Sequence, residues 1–267
     1  MDFQVTNFNT RLRTIRIREL IVGIILAVIL TVIIGVIFPV MFDDENIFMS
    51  VFLTIGVILF GIALHGTRGF GKDIRDIFTP KIGRELLYVL VINMFFALLF
   101  TCIILNVDFI LSLYDPSWNS IWVDVTAPTE LLIFDIISSV IFAPILEELI
   151  FRGVLFNRLK IRIGIIPAMI LSSALFGIGH SFGGMTSAFL FGMCMCILYL
   201  KTDNIFVGMT VHFLNNLIFV ILELLGITFY LQMPYLIPTT ILAVISTVLL
   251  LVYIIKESSK LKKENSS

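Results

Sequence analysis

APILEELIFRG, residues 143–153, places three charged side chains in a stretch that otherwise has the composition of a membrane helix. The charged residues are Glu147, Glu148 and Arg152. One charged side chain near the centre of a membrane span costs about 2.5–3.5 kcal/mol on insertion scales. Three in one helix therefore require compensating interactions, and ionisable groups inside membranes commonly mark functional sites.

The composition of the whole chain indicates that this stretch does lie in a membrane. Of the 267 residues, 59% are hydrophobic and only 14% are charged, and the mean hydropathy is +1.08. Soluble domains are about 45–50% apolar. The sequence therefore predicts an all-α, polytopic membrane protein. The formal net charge of −1 gives no support to nucleic-acid binding.

The apolar runs break at charged residues, proline and glycine, and this division predicts about eight transmembrane helices. The predicted spans are about 20–42, 47–65, 86–109, 131–157, 163–183, 185–200, 204–229 and 236–255. The connection between the fifth and sixth spans, HSFGGM, is short and rich in glycine. It is also compatible with a break buried within the membrane.

The basic residues predict the orientation of these helices. All 18 except Arg152 fall in connections on one side of the eight-span arrangement. Since Lys and Arg gather in cytoplasmic loops, the N- and C-termini are both predicted to be cytoplasmic. We divide the chain into residues 1–130, with three spans and an outer loop; residues 131–230, with the polar motifs; and residues 231–267, with the last span and a basic cytoplasmic tail.

Helical geometry separates the three charges of the acidic stretch. At about 100° per residue, Glu148 and Arg152 share a face and can form an ion pair, whereas Glu147 points about 100° away from Glu148. We interpret the pair as structural and Glu147 as a carboxylate that faces a cavity. Pro144 removes a helical hydrogen bond and can kink the helix, which favours open space beside Glu147.

Two later spans supply polar partners for this carboxylate. His180 follows Phe176 by four residues in SSALFGIGHS, and His212 and Asn216 are four residues apart in MTVHFLNNL, on one helix face. A carboxylate can act as a general base on water, an imidazole can hold that water, and an amide can donate a hydrogen bond to an oxyanion. This set of groups suits hydrolysis. Two imidazoles and a carboxylate could also bind zinc, although the H-E-x-x-H pattern is absent.

Other interpretations fit the same residues. A glutamate–arginine pair can simply dock two helices, and an intramembrane histidine can be a hydrogen-bonded packing residue. A buried carboxylate with two histidines also suits a proton relay in a transporter. The chain shows no internal repeat that would support a transporter. The residue chemistry alone therefore leaves hydrolysis, helix docking and transport open.

Three motifs, in order along the chain, resemble those of the CPBP family of intramembrane proteases, which includes the CAAX prenyl-endopeptidases and the bacterial Abi proteins. They are E-E-x-x-x-R at Glu147, Glu148 and Arg152, F-x-x-x-H at Phe176 and His180, and H-x-x-x-N at His212 and Asn216. The resemblance covers about residues 130–220. It implies a catalytic helical core and an intramembrane endopeptidase that hydrolyses a peptide bond of a membrane-associated or lipophilic peptide.

The resemblance also implies roles for the motif residues. Glu147 would activate water together with His180, and His212 and Asn216 would stabilise the oxyanion of the tetrahedral intermediate. The second glutamate and the arginine of the first motif would orient the site. The family is commonly described as metalloproteases, and a metal-free glutamate mechanism has also been proposed. If a divalent metal such as zinc is bound, its candidate ligands are Glu147, His180 and His212.

The eight-span arrangement raises a difficulty of depth. His180 falls near the outer end of its span and His212 nearer the cytoplasmic side, so their depths differ by about 10 Å or more. Both can approach Glu147 only if the spans are tilted, broken or unequal in length. We expect the glycine-rich segment FGIGHSFGG to provide this adjustment.

The implied partners are the lipid bilayer and a membrane peptide or lipopeptide substrate, with no nucleic acid. The short loops and small size indicate a multi-pass protein of a bacterial cell membrane. Bacterial members of the resembled family are linked to peptide maturation, bacteriocin immunity and signalling. The alternative function is therefore a non-catalytic bacteriocin-immunity or regulatory membrane protein of the same family.

Overall fold

The computed structural model describes residues 8–43, 45–64, 70–75, 80–118, 133–180 and 184–264, and these residues form helices and turns with no strand. The α-helices are α1 (Phe8–Leu12), α2 (Ile17–Ile37), α3 (Glu45–Ala63), α4 (Phe70–Arg75), α5 (Pro80–Ala97), α6 (Leu99–Tyr114), α7 (Ile133–Ile137), α8 (Ala143–Glu148), α9 (Asn157–Ile163), α10 (Ile165–Ile178), α11 (Met185–Thr202), α12 (Ile205–Leu224) and α13 (Leu236–Glu264). The all-α prediction is confirmed.

Several of these helices suit a bilayer by length and composition. The five that are long and apolar enough to cross it are Ile17–Ile37, Gly83–Tyr114, Met185–Thr202, Ile205–Leu224 and Leu236–Lys263. Two shorter apolar helices, Ile47–Ala63 and Ile165–Ile178, accompany them. The chain is thus a multi-pass membrane protein. Each predicted span overlaps a helix, but the number of eight crossings and the cytoplasmic termini stay predictions. The predicted boundary at residue 130 lies outside the described residues.

The lipid-facing helices bury only a narrow face. In α2 the buried residues are Leu20, Ala27, Thr31 and Gly35, while large aliphatic side chains cover the rest of its surface. Helix α3 packs against α2, and the ring of Phe42 lies against Gly35. An apolar surface around most of a helix is typical of a helix that contacts lipid.

Helix α11 forms the centre of the bundle. Its consecutive residues Phe191–Tyr199 are all buried, and a helix that is buried all round lies in a core. Helices α5, α10, α12 and α13 pack around it. The central position of α11 brings α10 and α12, which carry the two motif histidines, to the same part of the molecule.

The segment before the first long helix packs against the bundle. Leu12 is fully buried, and its Cδ2 atom lies so close to Gly153 that an added Cβ there would be 2.6 Å away. The Asn9 Oδ1 atom accepts a hydrogen bond from the backbone N–H of Ile205, at 2.8 Å. Ile205 is the first residue of α12, so this contact caps the helix that carries His212. This contact was not predicted, because Asn9 and Ile205 are 196 residues apart in the sequence.

Candidate active site

The helix that carries the acidic motif continues from Ile133 to Ile163 and contains two π-helical stretches. These are Ser138–Phe142 and Leu149–Phe156, on either side of α8. Pro144 lies in the first turn of α8, directly after the first π-helical stretch. The irregularity beside Pro144 is thus a widened turn. Such turns are rare and are frequent at functional sites, but a pattern with a fixed angle per residue does not reveal them.

Glu148 and Arg152 form the predicted ion pair. Arg152 Nη1 donates to Glu148 Oε1 at 3.0 Å, and both side chains are excluded from solvent. The Arg152 guanidinium also lies 4.4 Å from the centre of the Phe176 ring, which adds a cation–π contact. Because the pair is fully buried, the loss of either partner would leave an uncompensated charge in the core.

His212 lies between the two glutamates. Its Nδ1 atom is 3.2 Å from Glu148 Oε1, and its Nε2 atom is 3.6 Å from Glu147 Oε2. A carboxylate oxygen accepts a hydrogen bond, so Nδ1 carries the proton of that contact. The rings of Phe176 and Phe191 meet the imidazole edge-on, with centroid distances of 5.8 and 5.2 Å. The orientation of His212 is therefore fixed on three sides.

The rings of His180 and His212 both contact the ring of Phe176. The His180 Nδ1 atom donates to the Phe176 carbonyl oxygen at 2.9 Å, which leaves Nε2 of the neutral ring as an acceptor. The ring centroids of His180 and Phe176 are 4.7 Å apart. Both histidines thus lie against one aromatic ring, despite their different positions in the predicted spans. Helix α10 ends at Ile178, before the predicted end of its span, so His180 follows the helix.

Glu147 is the more accessible of the two adjacent glutamates. Its side chain is 27% exposed, whereas that of Glu148 is 0% exposed. That Glu147 faces a cavity stays a prediction. Within the described residues, no ion pair or hydrogen bond joins Glu147 to His180, and its nearest charged or ionisable contact is His212. The cooperation of Glu147 with His180 therefore stays a prediction.

Asn216 is held by backbone and side-chain amides. Its Nδ2 atom donates to the carbonyl oxygen of Ser139 at 2.8 Å, in the first π-helical stretch. Its Oδ1 atom accepts from Asn215 Nδ2 at 3.3 Å. The Asn215 Oδ1 atom in turn accepts from Asn93 Nδ2 at 2.9 Å. Asn93 and Asn215 were not among the predicted site residues, although a lone asparagine in the apolar run of α5 and an asparagine doublet in α12 are visible signals.

The described arrangement does not fit a three-ligand metal site. Among the residues that the structure describes, which include Glu147, His180 and His212, no three His, Cys, Asp or Glu side chains form a group that could hold a metal ion. Both histidines use Nδ1 in hydrogen bonds, so only their Nε2 atoms remain as donors. The zinc set stays a prediction.

One comparison with known proteins covers the stretch that carries all three motifs. Residues 129–218 match the family model described as "Type II CAAX prenyl endopeptidase Rce1-like". A stretch of 100 residues is 35% identical to "Putative membrane peptidase YdiL" of Bacillus subtilis (strain 168). This match covers 36% of the chain and 40% of that relative, which is less than half of either protein. No solved structure matches the chain.

Proposed function

We propose that this multi-pass membrane protein, which the comparisons assign to the CPBP/CAAX protease family, is an intramembrane endopeptidase. It hydrolyses a peptide bond of a membrane-associated or lipophilic peptide. The observation that carries the proposal is the contact between Glu147, an accessible carboxylate, and His212, a buried imidazole fixed by Glu148. The family match over residues 129–218 supports the proposal.

Glu147 is the proposed general base. Its carboxylate accepts a proton from a water molecule while the water oxygen attacks the carbonyl carbon of the scissile bond. The Nε2 atom of His180 accepts the second hydrogen of that water and orients it. Glu147 then transfers its proton to the leaving nitrogen as the C–N bond breaks. The products are a carboxylic acid and an amine, and Glu147 returns to its ionised form.

His212 and Asn216 are the proposed donors to the oxyanion. Asn216 uses one N–H for the Ser139 carbonyl, and its second N–H is available for the substrate oxygen. His212 is anchored through Nδ1 and presents Nε2, from which it donates when doubly protonated. Fixed donors of this kind stabilise charge that develops in the transition state without reorganisation.

Glu147→Gln tests the proposed function. Glutamine keeps the size of the side chain but removes the base, so we expect peptide cleavage to fall by about 10²–10⁴-fold. Folding should be unaffected, because Glu147 is partly exposed and does not pair with Arg152. Cleavage is measured by mass spectrometry on the protein in nanodiscs, with a library of hydrophobic and lipidated peptides.

The matched control is Glu223→Gln, which removes an exposed carboxylate of α12 near its C-terminal end. This variant should cleave as the wild type does. If Glu147→Gln cleaves as well as the wild type, the peptidase proposal is wrong. Cellular immunity or regulation that survives Glu147→Gln would then favour the non-catalytic alternative.

A chelator tests the zinc prediction separately. Because the described donors do not gather into a metal site, we expect cleavage to persist after incubation with 1,10-phenanthroline. A loss of cleavage that added Zn²⁺ restores would instead establish a metal requirement.

A further inference from the structure

We propose that Asn93 and Asn215 are positioning residues that set the orientation of the Asn216 amide for catalysis. This inference rests on the proposed peptidase function and extends it to a residue outside the family match. Asn93 lies on α5, whereas the match begins at residue 129. The active site would thus depend on a helix that precedes the catalytic core in the sequence.

The three asparagines form a chain of hydrogen bonds with one direction. Asn93 Nδ2 donates to Asn215 Oδ1 at 2.9 Å, and Asn215 Nδ2 donates to Asn216 Oδ1 at 3.3 Å. Asn216 Nδ2 then donates to the Ser139 carbonyl oxygen at 2.8 Å. All three amides therefore donate to the group that follows, and Asn215 and Asn216 each accept from the asparagine before them.

The direction of this chain determines which end of the Asn216 amide faces the site. A flipped Asn216 would place two NH₂ groups against each other at Asn215 and two oxygens against each other at Ser139. In the observed orientation the Asn216 oxygen accepts from Asn215, and its nitrogen has one N–H that donates to no described residue. An oxyanion requires an N–H donor and is repelled by a carbonyl oxygen. This chain of hydrogen bonds thus selects the Asn216 amide orientation that can donate to an oxyanion.

Helix docking alone does not account for Asn93. The side chains of Asn93 and Asn215 are buried, and Asn93 Oδ1 has no hydrogen-bond partner within the described residues. An interhelical hydrogen bond in a membrane contributes only about 0.6 kcal/mol on average. An unsatisfied buried acceptor costs about 1–3 kcal/mol. A benefit beyond docking, namely the orientation of Asn216, explains why an amide is placed there.

Asn106 provides a matched control for a purely structural amide. Its Nδ2 atom donates to the Cys102 carbonyl oxygen at 2.7 Å and to Thr240 Oγ1 at 2.8 Å. It therefore joins α6 to α13, as Asn93 joins α5 to α12, but none of its hydrogen bonds leads to a motif residue.

The test is a double-mutant cycle between Asn93→Ala and Asn216→Ala, with kcat and KM measured for peptide cleavage. We expect Asn216→Ala to lower kcat by about 10²–10³-fold. Asn93→Ala should lower kcat by about 10–100-fold, the usual effect of removing a group that orients an active-site residue, and should change KM less than about twofold. In the Asn216→Ala background, Asn93→Ala should have no further effect, and Asn106→Ala should stay within about twofold of the wild type.

Each of the following results would overturn the inference. One is an equal effect of Asn93→Ala in the wild-type and Asn216→Ala backgrounds, which indicates a general structural role. Another is a kcat of Asn93→Ala no lower than that of Asn106→Ala. Asn215→Ala interrupts the same chain and must show the same dependence on Asn216. If the Asn93 and Asn215 variants both fail to fold while Asn106→Ala folds, their role is structural and the inference is also wrong.

A spectroscopic measurement separates this inference from the proposed function. The side-chain amide signals of ¹⁵N-labelled asparagine are recorded by NMR in nanodiscs, and Asn216→Ala identifies the Asn216 pair. We expect Asn93→Ala to shift that pair and Asn106→Ala to leave it unchanged. Unshifted signals overturn the inference even where cleavage is active. Absence of Glu147-dependent cleavage, in contrast, overturns the proposed function. It then also overturns the catalytic role of the asparagine hydrogen bonds.

Discussion

At the residue scale, Glu148 holds two other side chains of the site through a single oxygen. Its Oε1 atom accepts from Arg152 Nη1 at 3.0 Å and from His212 Nδ1 at 3.2 Å. The negative charge of Glu148 is thus shared between the partner that neutralises it and the imidazole that it orients. Glu147, one residue earlier, is partly exposed and lies 3.6 Å from the other ring nitrogen of His212.

Arg152→Leu should destabilise the protein strongly, and a second substitution should reverse that effect. On its own, Arg152→Leu leaves the buried Glu148 without its cationic partner. We therefore expect a loss of about 3–5 kcal/mol in the free energy of unfolding. Glu148→Leu/Arg152→Leu removes both charges and should recover most of that stability. Cleavage should stay lost in the double variant, because His212 has no acceptor for Nδ1. Unfolding in SDS, followed by circular dichroism, measures stability.

The stability of Arg152→Leu decides whether the pair is structural. A single variant as stable as the wild type would show that Glu148 does not need its arginine. A double variant that cleaves peptides would show that His212 does not need Glu148.

The ion pair was predictable from sequence, whereas the contact of Glu148 with His212 was not. Glu148 and Arg152 are four residues apart in one helix, so their distance follows from local geometry. His212 is 64 residues further along the chain than Glu148, and only the packing of α12 against α8 brings them together. The resemblance to a family placed His212 in the site but did not identify the nitrogen that binds Glu148.

At the element scale, glycines set how closely helices approach the buried ion pair. A Cβ added to Gly208 in α12 would lie 2.9 Å from Glu148 Oε2. A Cβ added to Gly192 in α11 would lie 3.0 Å from Arg152 Nη2 and from Ser173 Cβ. Both distances are shorter than ordinary contacts. The absence of a side chain at these positions therefore allows both helices to pack directly on the charges.

Gly208→Ala should displace Glu148 and lower activity. The Glu148 carboxylate is held by Arg152 and His212 and can move only if those contacts change. We expect a loss of about 1–3 kcal/mol in stability, as for other overpacked cores. Cleavage should fall at least tenfold, because the displaced Glu148 no longer orients His212. Thermal unfolding and the peptide assay measure the two effects.

Gly61→Ala is the control for this prediction. Gly61 lies in α3, and no atom would lie within 4 Å of an added Cβ there. Because alanine favours helix over glycine, this variant should be at least as stable as the wild type and equally active. Equal behaviour of the two alanine variants would contradict the proposed role of Gly208.

The helices themselves were largely predictable, because hydrophobic length is a local property of the sequence. Two features of the helices were not predictable from the sequence. The π-helical stretches at Ser138–Phe142 and Leu149–Phe156 depend on contacts with neighbouring helices, such as the hydrogen bond from Asn216 to the Ser139 carbonyl. The end of α10 at Ile178 was also not predicted, because the glycine that follows it disfavours helix but does not by itself fix the residue at which a helix ends.

At the scale of the whole molecule, connections that were predicted to be cytoplasmic contact one another. Arg158 Nε donates to the Ile15 carbonyl oxygen at 2.7 Å. Lys201 Nζ donates to Glu85 Oε1 at 2.6 Å and to Glu257 Oε2 at 3.0 Å. These contacts link segments that are far apart in the sequence at one end of the bundle. The pattern of basic residues predicted a common side, but it did not predict the contacts.

Labelling of single cysteines tests the predicted topology. The native cysteines, Cys102, Cys194 and Cys196, are buried, so a membrane-impermeant maleimide should react mainly with introduced ones. The probes are exposed positions on the two predicted sides: Ile161→Cys and Lys263→Cys inside, Ser117→Cys and Gln232→Cys outside.

We expect the two outer probes to react in intact cells and the two inner probes to react only in inverted vesicles. The physical reason is that Lys and Arg near the ends of spans are retained in the cytoplasm. The structure adds a constraint, because Gly83–Tyr114 is a single apolar unit long enough to separate the Glu85 end from Ser117. Reaction of Ser117→Cys and Lys263→Cys from the same side would therefore contradict both the eight-span arrangement and the assignment of Gly83–Tyr114 as a crossing. Reversed labelling of all four probes would preserve the number of crossings and contradict only the cytoplasmic location of the termini.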